Sequence, residues 1–211
     1  WNVTQSNELF ESLKKEIWLE LNEEQTALEQ VRILNHVFFS LHNMESVRRL
    51  PHVPLEALPS GVLQEKKGNP IGLGILYLAV AQSLGIPLRG VSLPNHFILA
   101  YCDVAHVDDP TATKGQSGIL FYINPYSHGS VIGVDDVSEF LVGVGEGETV
   151  HQWRPSHPME IIQRLVRNVA FATREANGEE RSKQFLSLFA PLLSVFENAE
   201  QRSGDYPPIR E

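Results

Sequence analysis

The sequence predicts an α+β fold in which one buried central helix lies on a small antiparallel sheet, with helices flanking this core at both ends of the chain. Three observations predict it. The segment from Pro70 to Leu84 is apolar nearly all round, the pattern of a helix packed on every side, and it is bounded by Asn69-Pro70 before and Gly85-Ile86-Pro87 after. Strand-length apolar stretches with alternating faces follow it. Amphipathic stretches of helical period occupy the two ends.

Residues 7 to 43 read as two amphipathic helices. Phe10, Leu13, Ile17 and Leu21 share one face of the first, and Ala27, Val31, Leu34, Phe38 and Leu41 share one face of the second. Pro51, Pro54 and Pro59 predict a loop, because each removes a backbone donor and pushes its predecessor out of the helical region. Residues 60 to 67 then form a short helix. For the central helix, Asn69 is the N-cap, Pro70 suits the first helical position, and Gly85 with Pro87 ends the element. Strands are expected at Leu88 to Leu93, His96 to Cys102, Ile119 to Asn124 and Val131 to Val134. The stretch from Asp103 to Ser117 reads as an exposed loop.

Asp135 or Asp136 caps a short helix through Leu141, and Gly143 to Gly147 with Pro155 and Pro158 marks a boundary. Residues 1–155 are therefore expected as one domain and 156–211 as a helical hairpin. In the hairpin Ile162, Leu165, Val169 and Ala172 share a face, Asn177-Gly178 turns the chain, and Phe185, Leu188, Leu192 and Val195 repeat the pattern. Pro191 is expected to kink or split the last helix, and residues 203 to 211 to fray.

At 211 residues the chain can bury one substantial core, or a core of roughly 150 residues with an appendage. The formal net charge is −9 and Lys and Arg do not cluster, which argues against nucleic acid or an anionic membrane surface as partner. Cys102 is the only cysteine, so an intrachain disulfide and a multi-thiolate metal site are excluded, and a reducing, cytoplasmic location is expected. The longest apolar run, Ile71 to Ala81, falls short of the ~20 residues that cross a bilayer. The chain begins at Trp1 rather than Met, which points to a trimmed N-terminus. No cofactor or metal is expected; His106, Asp108 and Asp109 read as a solvated loop because their spacing matches no site motif.

A thiol acyl-transfer enzyme places its Cys at a helix N-terminus, where the dipole favours thiolate, and brings His from a strand as base, with a third residue orienting the ring. This chain keeps that order: a helix start at Asn69-Pro70, His96 opening one strand, and Asn124 closing another before Pro125. On the stretches GNPIGLGILYLAVAQSLGIPLRGVSLPNHFILAY (68–101) and FYINPYSHG (121–129), it resembles the transglutaminase-like superfamily, and within it the second transglutaminase-core family that includes bacterial SirB-type proteins. The resemblance implies a papain-like core with His96 in the histidine position and Asn124 where the superfamily usually has Asp. MEIIQRLVRNVAFATREANG (159–178) is similar to the helical tail of SirB-type proteins, itself like a tetratricopeptide hairpin.

The chain departs from that pattern at the nucleophile. The superfamily Cys falls within a residue or two of Pro70, and this chain has only Pro70, Ile71, Gly72, Leu73 and Gly74 there. Asn124 can orient an imidazole but cannot stabilise its cation by charge. Cys102 shares the strand face of His96, but six residues of strand separate them by about 20 Å. It reads as a small buried hydrophobe.

The sequence therefore points to a catalytically inactive domain that binds or scaffolds a protein or peptide, with His96 and Asn124 as vestigial positions, the histidine hydrogen-bonded to the asparagine. An alternative is a hydrolase in which an anion sits on free backbone donors at Asn69 to Gly72 while His96 acts as general base on water and His128 lines the same cleft. A third reading makes the C-terminal hairpin a peptide-gripping surface.

Overall fold

The computed structural model describes residues 3–47, 57–93, 96–103, 118–134, 136–143 and 155–203. The α+β architecture is as expected. Helix α1 (Val3–Glu20) buries Leu13 and Ile17, and Phe10 and Leu21 pack beside them. Helix α2 (Ala27–Asn35) opens with a capping box: Thr26 Oγ1 accepts the Glu29 amide at 3.4 Å and the Glu29 carboxylate accepts the Thr26 amide at 2.8 Å. The helix then continues as a π-helical turn over His36–Leu41, in which the His42 amide reaches Val37 O at 3.0 Å. That wider turn shifts the phase of the apolar stripe. Val37 and Phe38 are both buried, and Leu41, expected on the buried face, is exposed.

Strand β1 (Glu45–Ser46) pairs in parallel with β2 (Lys67–Gly68), a contact too short to leave a pattern in the sequence. Between them lies helix α3 (Pro59–Glu65); Pro59 occupies its first turn instead of belonging to the preceding loop. Lys66 turns the chain out of α3 with φ 58°, and β2 leads into the central helix α4 (Pro70–Ser83). Ile71, Leu73, Leu76, Tyr77, Val80 and Ala81 of α4 are all buried, which requires neighbours on every side.

Those neighbours are the helices α1 to α3 and one face of a four-stranded antiparallel sheet, β3 (Leu88–Ser92), β4 (Phe97–Cys102), β5 (Ile119–Asn124) and β6 (Ser130–Ile132), ordered 3-4-5-6. Every residue of β4 is buried because both its faces are covered. Phe97, Leu99 and Tyr101 join the core around α4; Ile98, Ala100 and Cys102 join a second cluster with Tyr122 and with Val137 of helix α5 (Val137–Gly143).

The C-terminal helices close the β3 edge. The Ser156 amide donates to Gly90 O at 2.8 Å and Ser156 Oγ accepts the Ser92 amide at 2.9 Å. Helix α6 (Pro158–Asn177) then sets Ile161 on Gly90, while Arg164 donates to Ser92 Oγ at 2.8 Å and to Leu93 O. Helix α7 (Glu179–Ser203) folds back after Gly178, and Ser182 Oγ donates to Ala170 O at 2.8 Å. The buried stripe of α6 is Ile161, Val166, Val169, Ala170 and Ala172, whereas Ile162 is exposed; on α7, Leu188 is 77% exposed. On α7 the cause is that it packs on α6 and so buries a narrower stripe than its apolar residues would fill; on α6, Ile161 faces β3, which turns the neighbouring Ile162 outward. Pro191 lies inside a continuous α7 rather than splitting it. The loop of Pro51 and Pro54, residues 104–117 with His106, Asp108 and Asp109, and the 204–211 tail lie outside the described residues.

Candidate functional site

At the start of α4 the Asn69 side chain accepts the Gly72 amide at 2.8 Å, and Asn69 is 3% exposed. The cap uses the Gly72 N–H, one of the donors expected to be free at Asn69 to Gly72. No side chain capable of nucleophilic attack projects from Pro70, Ile71, Gly72, Leu73 or Gly74. The room beside Gly74 is filled. A Cβ at that position would lie 2.6 Å from Phe97 Cδ1 and 2.8 Å from Cε1, with Pro125 Cγ at 3.8 Å. The opposite edge of the Phe97 ring rests on Gly90, where a Cβ would lie 2.9 Å from Cζ.

Strand parity separates the predicted site residues. Since Phe97 faces α4, the preceding His96 lies on the other side of the sheet, where its ring meets Phe140 of α5 edge-on with centroids 6.1 Å apart. Leu99 pairs with Ile123 and Ala100 with Tyr122, so the register puts Asn124 on the same sheet face as His96, one diagonal away. Asn124 is buried and turned along its own chain: Oδ1 accepts the Tyr126 amide at 3.1 Å and Nδ2 donates to Ser127 Oγ at 3.4 Å, which caps the short 3₁₀ turn Pro125–Ser127. His128 is exposed, has φ 52°, and stands edge-on to Phe39 of the π-helical turn at 5.4 Å. The structure thus brings His96 and Asn124 to one face and sets Asn69, Gly72 and His128 elsewhere. Cys102 is buried at the far end of β4.

One network escaped the sequence reading. The buried Tyr77 hydroxyl donates to Asn35 Oδ1 at 2.9 Å, and Asn35 Nδ2 donates to Gly129 O at 2.8 Å. Ser46 Oγ donates to Tyr126 O at 2.8 Å. These bonds tie the 125–129 turn to α2, β1 and α4, and burial holds the Tyr77 phenol well above its ordinary pKa. The available signal was Tyr77 itself, the one phenol in a helix that is otherwise apolar from Pro70 to Ala81.

A central helix whose capped start abuts the turn after an Asn-ended strand, with a histidine entering the adjacent strand, defines the frame of a thiol acyl-transfer fold. The chain belongs to the transglutaminase-like superfamily, whose family model matches residues 5–167. Among curated relatives it is 28% identical to mouse F-box only protein 21 over 156 residues, which is 72% of this chain and 23% of that protein. It is 28% identical to a UPF0162 protein of Xylella fastidiosa over 135 residues, covering 61% of this chain and 43% of the relative. With a UPF0162 protein of Pseudomonas aeruginosa it shares 30% identity over 122 residues, 56% of this chain and 39% of the relative. The chain therefore spans about a quarter of F-box only protein 21 and less than half of these bacterial relatives. No solved structure matches it. Among the described residues no helix is long and apolar enough to cross a membrane, and no group of His, Cys, Asp and Glu could hold a metal ion.

Proposed function

We propose that this chain is a catalytically silent transglutaminase-like module of the SirB type that works by binding a protein or peptide. The observation that carries the reading is the start of α4, where the superfamily nucleophile is absent and the Phe97 ring fills the space beside Gly74. The superfamily's acyl transfer needs a thiolate within hydrogen-bond reach of the strand histidine, and Cys102 lies at the other end of β4. The relatives support the modular part of the reading. In F-box only protein 21 the matched region is one part of a much longer chain. The α6 and α7 hairpin, of tetratricopeptide type in this reading, supplies an outer face for the partner, with Leu188 exposed on it.

The test is turnover. The purified chain is incubated with a glutaminyl peptide plus a primary amine, and separately with an activated ester. Ammonia or alcohol should be released no faster than by the His96→Ala variant. Release that His96→Ala abolishes would overturn the reading.

A further inference from the structure

A second group of titratable side chains meets away from α4, where α1, the end of the π-helical turn and the end of α3 converge. His42 Nε2 lies 2.7 Å from Glu16 Oε2, and His42 Nδ1 lies 3.3 Å from Lys66 Nζ. An ammonium group can only donate, so Nδ1 is the accepting nitrogen and the ring proton sits on Nε2, donated to Glu16. The imidazole is held in one tautomer with its lone pair aimed at the lysine. Ser12 Oγ donates to the other Glu16 oxygen at 3.3 Å and fixes the carboxylate in turn. Carboxylate, imidazole and nucleophile stand in the order of a catalytic triad, with a primary amine in the place of the hydroxyl.

The backbone is irregular at both ends of this relay. His42 follows directly on the π-helical turn, and Lys66 adopts left-handed φ 58°, which a residue with a Cβ rarely does. The side chains of His42 and Glu16 are 21% and 39% exposed, so the group is shielded yet reachable. Burial lowers the Lys66 pKa, with the Glu16 carboxylate working in the opposite direction. Among the described residues, the charged groups facing His42 are Glu16 from α1 and Lys66 from the end of α3. Lys67, the next residue, is 60% exposed and stands 3.7 Å from Glu45.

We propose that Glu16, His42 and Lys66 form a reactive-amine site at which Lys66 is acylated by activated acyl donors, acyl phosphates or acyl thioesters. The Lys66 ammonium passes one proton to His42 Nδ1, and Glu16 stabilises the imidazolium. The neutral amine attacks the donor carbonyl carbon; an N–C bond forms, and the bond from that carbon to phosphate oxygen or thiol sulfur breaks with its electron pair. The second proton leaves the nitrogen for the departing group or for water, and the imidazolium returns its proton to solvent. The product amide carries no charge, so Glu16 loses the cation across the ring from it.

Lys67 is an internal control of the same chemistry, one residue away. The purified chain is treated with acetyl phosphate, and separately with an acetyl thioester of N-acetylcysteamine. Acetylation at Lys66 and Lys67 is then followed by tandem mass spectrometry. Near neutral pH Lys66 should react at least about tenfold faster than Lys67 with one donor or both, since a positioned base contributes at least that much. His42→Gln should slow Lys66 about tenfold and leave Lys67 unchanged. Equal rates at the two lysines with both donors would overturn the proposal, as would selectivity that survives His42→Gln in a variant with a native melting curve. Should that variant fail to fold, Glu16→Gln decides: Lys66 selectivity that is unchanged without the carboxylate sinks the idea.

Discussion

Gly74 and Phe97 give the sharpest test of how the region around the superfamily nucleophile position is built. The ring of Phe97 is buried between two residues without side chains, Gly74 of α4 and Gly90 of β3. Gly74→Ala would bring its Cβ to 2.6 and 2.8 Å from the ring, where carbon atoms prefer about 3.5 to 4.0 Å. The ring has little room to retreat, because its far edge already lies on the bare backbone of Gly90 with Ile161 beside it. Overpacking at the upper end of its usual range costs about 3 kcal/mol, and alanine returns about 1 kcal/mol over glycine inside a helix, so the net loss is about 2 kcal/mol. In urea, with a slope of about 2 kcal/mol per molar, the midpoint should drop by about 1 M at unchanged slope. The same substitution in a Phe97→Leu background should lose the penalty and stabilise by up to about 1 kcal/mol, a coupling of roughly 3 kcal/mol. Gly74→Ala that stabilises the parent chain, or a coupling below about 0.5 kcal/mol, would refute the assignment of Phe97 to this space.

Three further outcomes are expected. Gly129→Ala should cost about 3 kcal/mol, from positive-φ strain and an unpaired buried hydroxyl, and it should show as a lower melting temperature. Its Cβ would fall 1.8 Å from Asn35 Oδ1 at φ +71°, which expels Asn35 and strands Tyr77. Arg164→Ala removes the donors to Ser92 Oγ and Leu93 O, and should destabilise by about 1 to 3 kcal/mol; a melt unchanged from the parent would show that α6 does not hold the β3 edge. Alkaline pH should unfold the chain. Burial raises the pKa of Tyr77, Tyr101 and Tyr122, so the unfolded chain ionises near the ordinary value of about 10 while the folded one stays neutral, and their stability contribution is lost as pH rises past that point. Lys66 runs the other way, since its lowered folded pKa makes its contribution grow with pH up to about 10.5. With three tyrosines against one lysine, the melting temperature should fall above about pH 10, and the phenolate absorbance of Tyr77, Tyr101 and Tyr122 should appear with unfolding.

Elements set by local chemistry were legible in the sequence. Asn69-Pro70 and Gly85 bound α4 because a cap, a proline at the first helical position and a positive-φ glycine act within one turn, and the cap bond and the Gly85 φ of 77° are both present. The strands from Leu88 to Asn124 were legible as short apolar runs bounded by turn residues, the pattern of strands covered on both faces. What escaped depends on partners distant in the chain. The α2 stripe runs unbroken through Leu41 in sequence, yet the π-helical turn changes its phase, and the aromatic contacts of Phe38 and Phe39 with Tyr77 accompany that change. The pairing of β1 with β2 spans two residues on each strand and has no period to detect.

The candidate site was legible by identity and only partly by geometry. That no nucleophile follows Asn69 can be read directly; that Phe97 fills the space beside Gly74 cannot, because it needs β3 and β4 in register behind α4. Asn124 illustrates how one residue satisfies two readings. A side chain that accepts the amide two residues on is a local turn device, and Asn-Pro-Tyr-Ser carries that signature as plainly as it fits the orienting position of a triad. Register sets Asn124 and His96 on one face, but the carboxamide serves the turn, and that turn is also gripped by Asn35 and Ser46. A turn held from three elements fixes the end of β5, and through it the surface against which the start of α4 packs. The framework around the superfamily site therefore has its own stabilising interactions, independent of any acyl chemistry, and Gly129→Ala would disturb them at a residue whose own amide donates to Asn124 O at 3.0 Å.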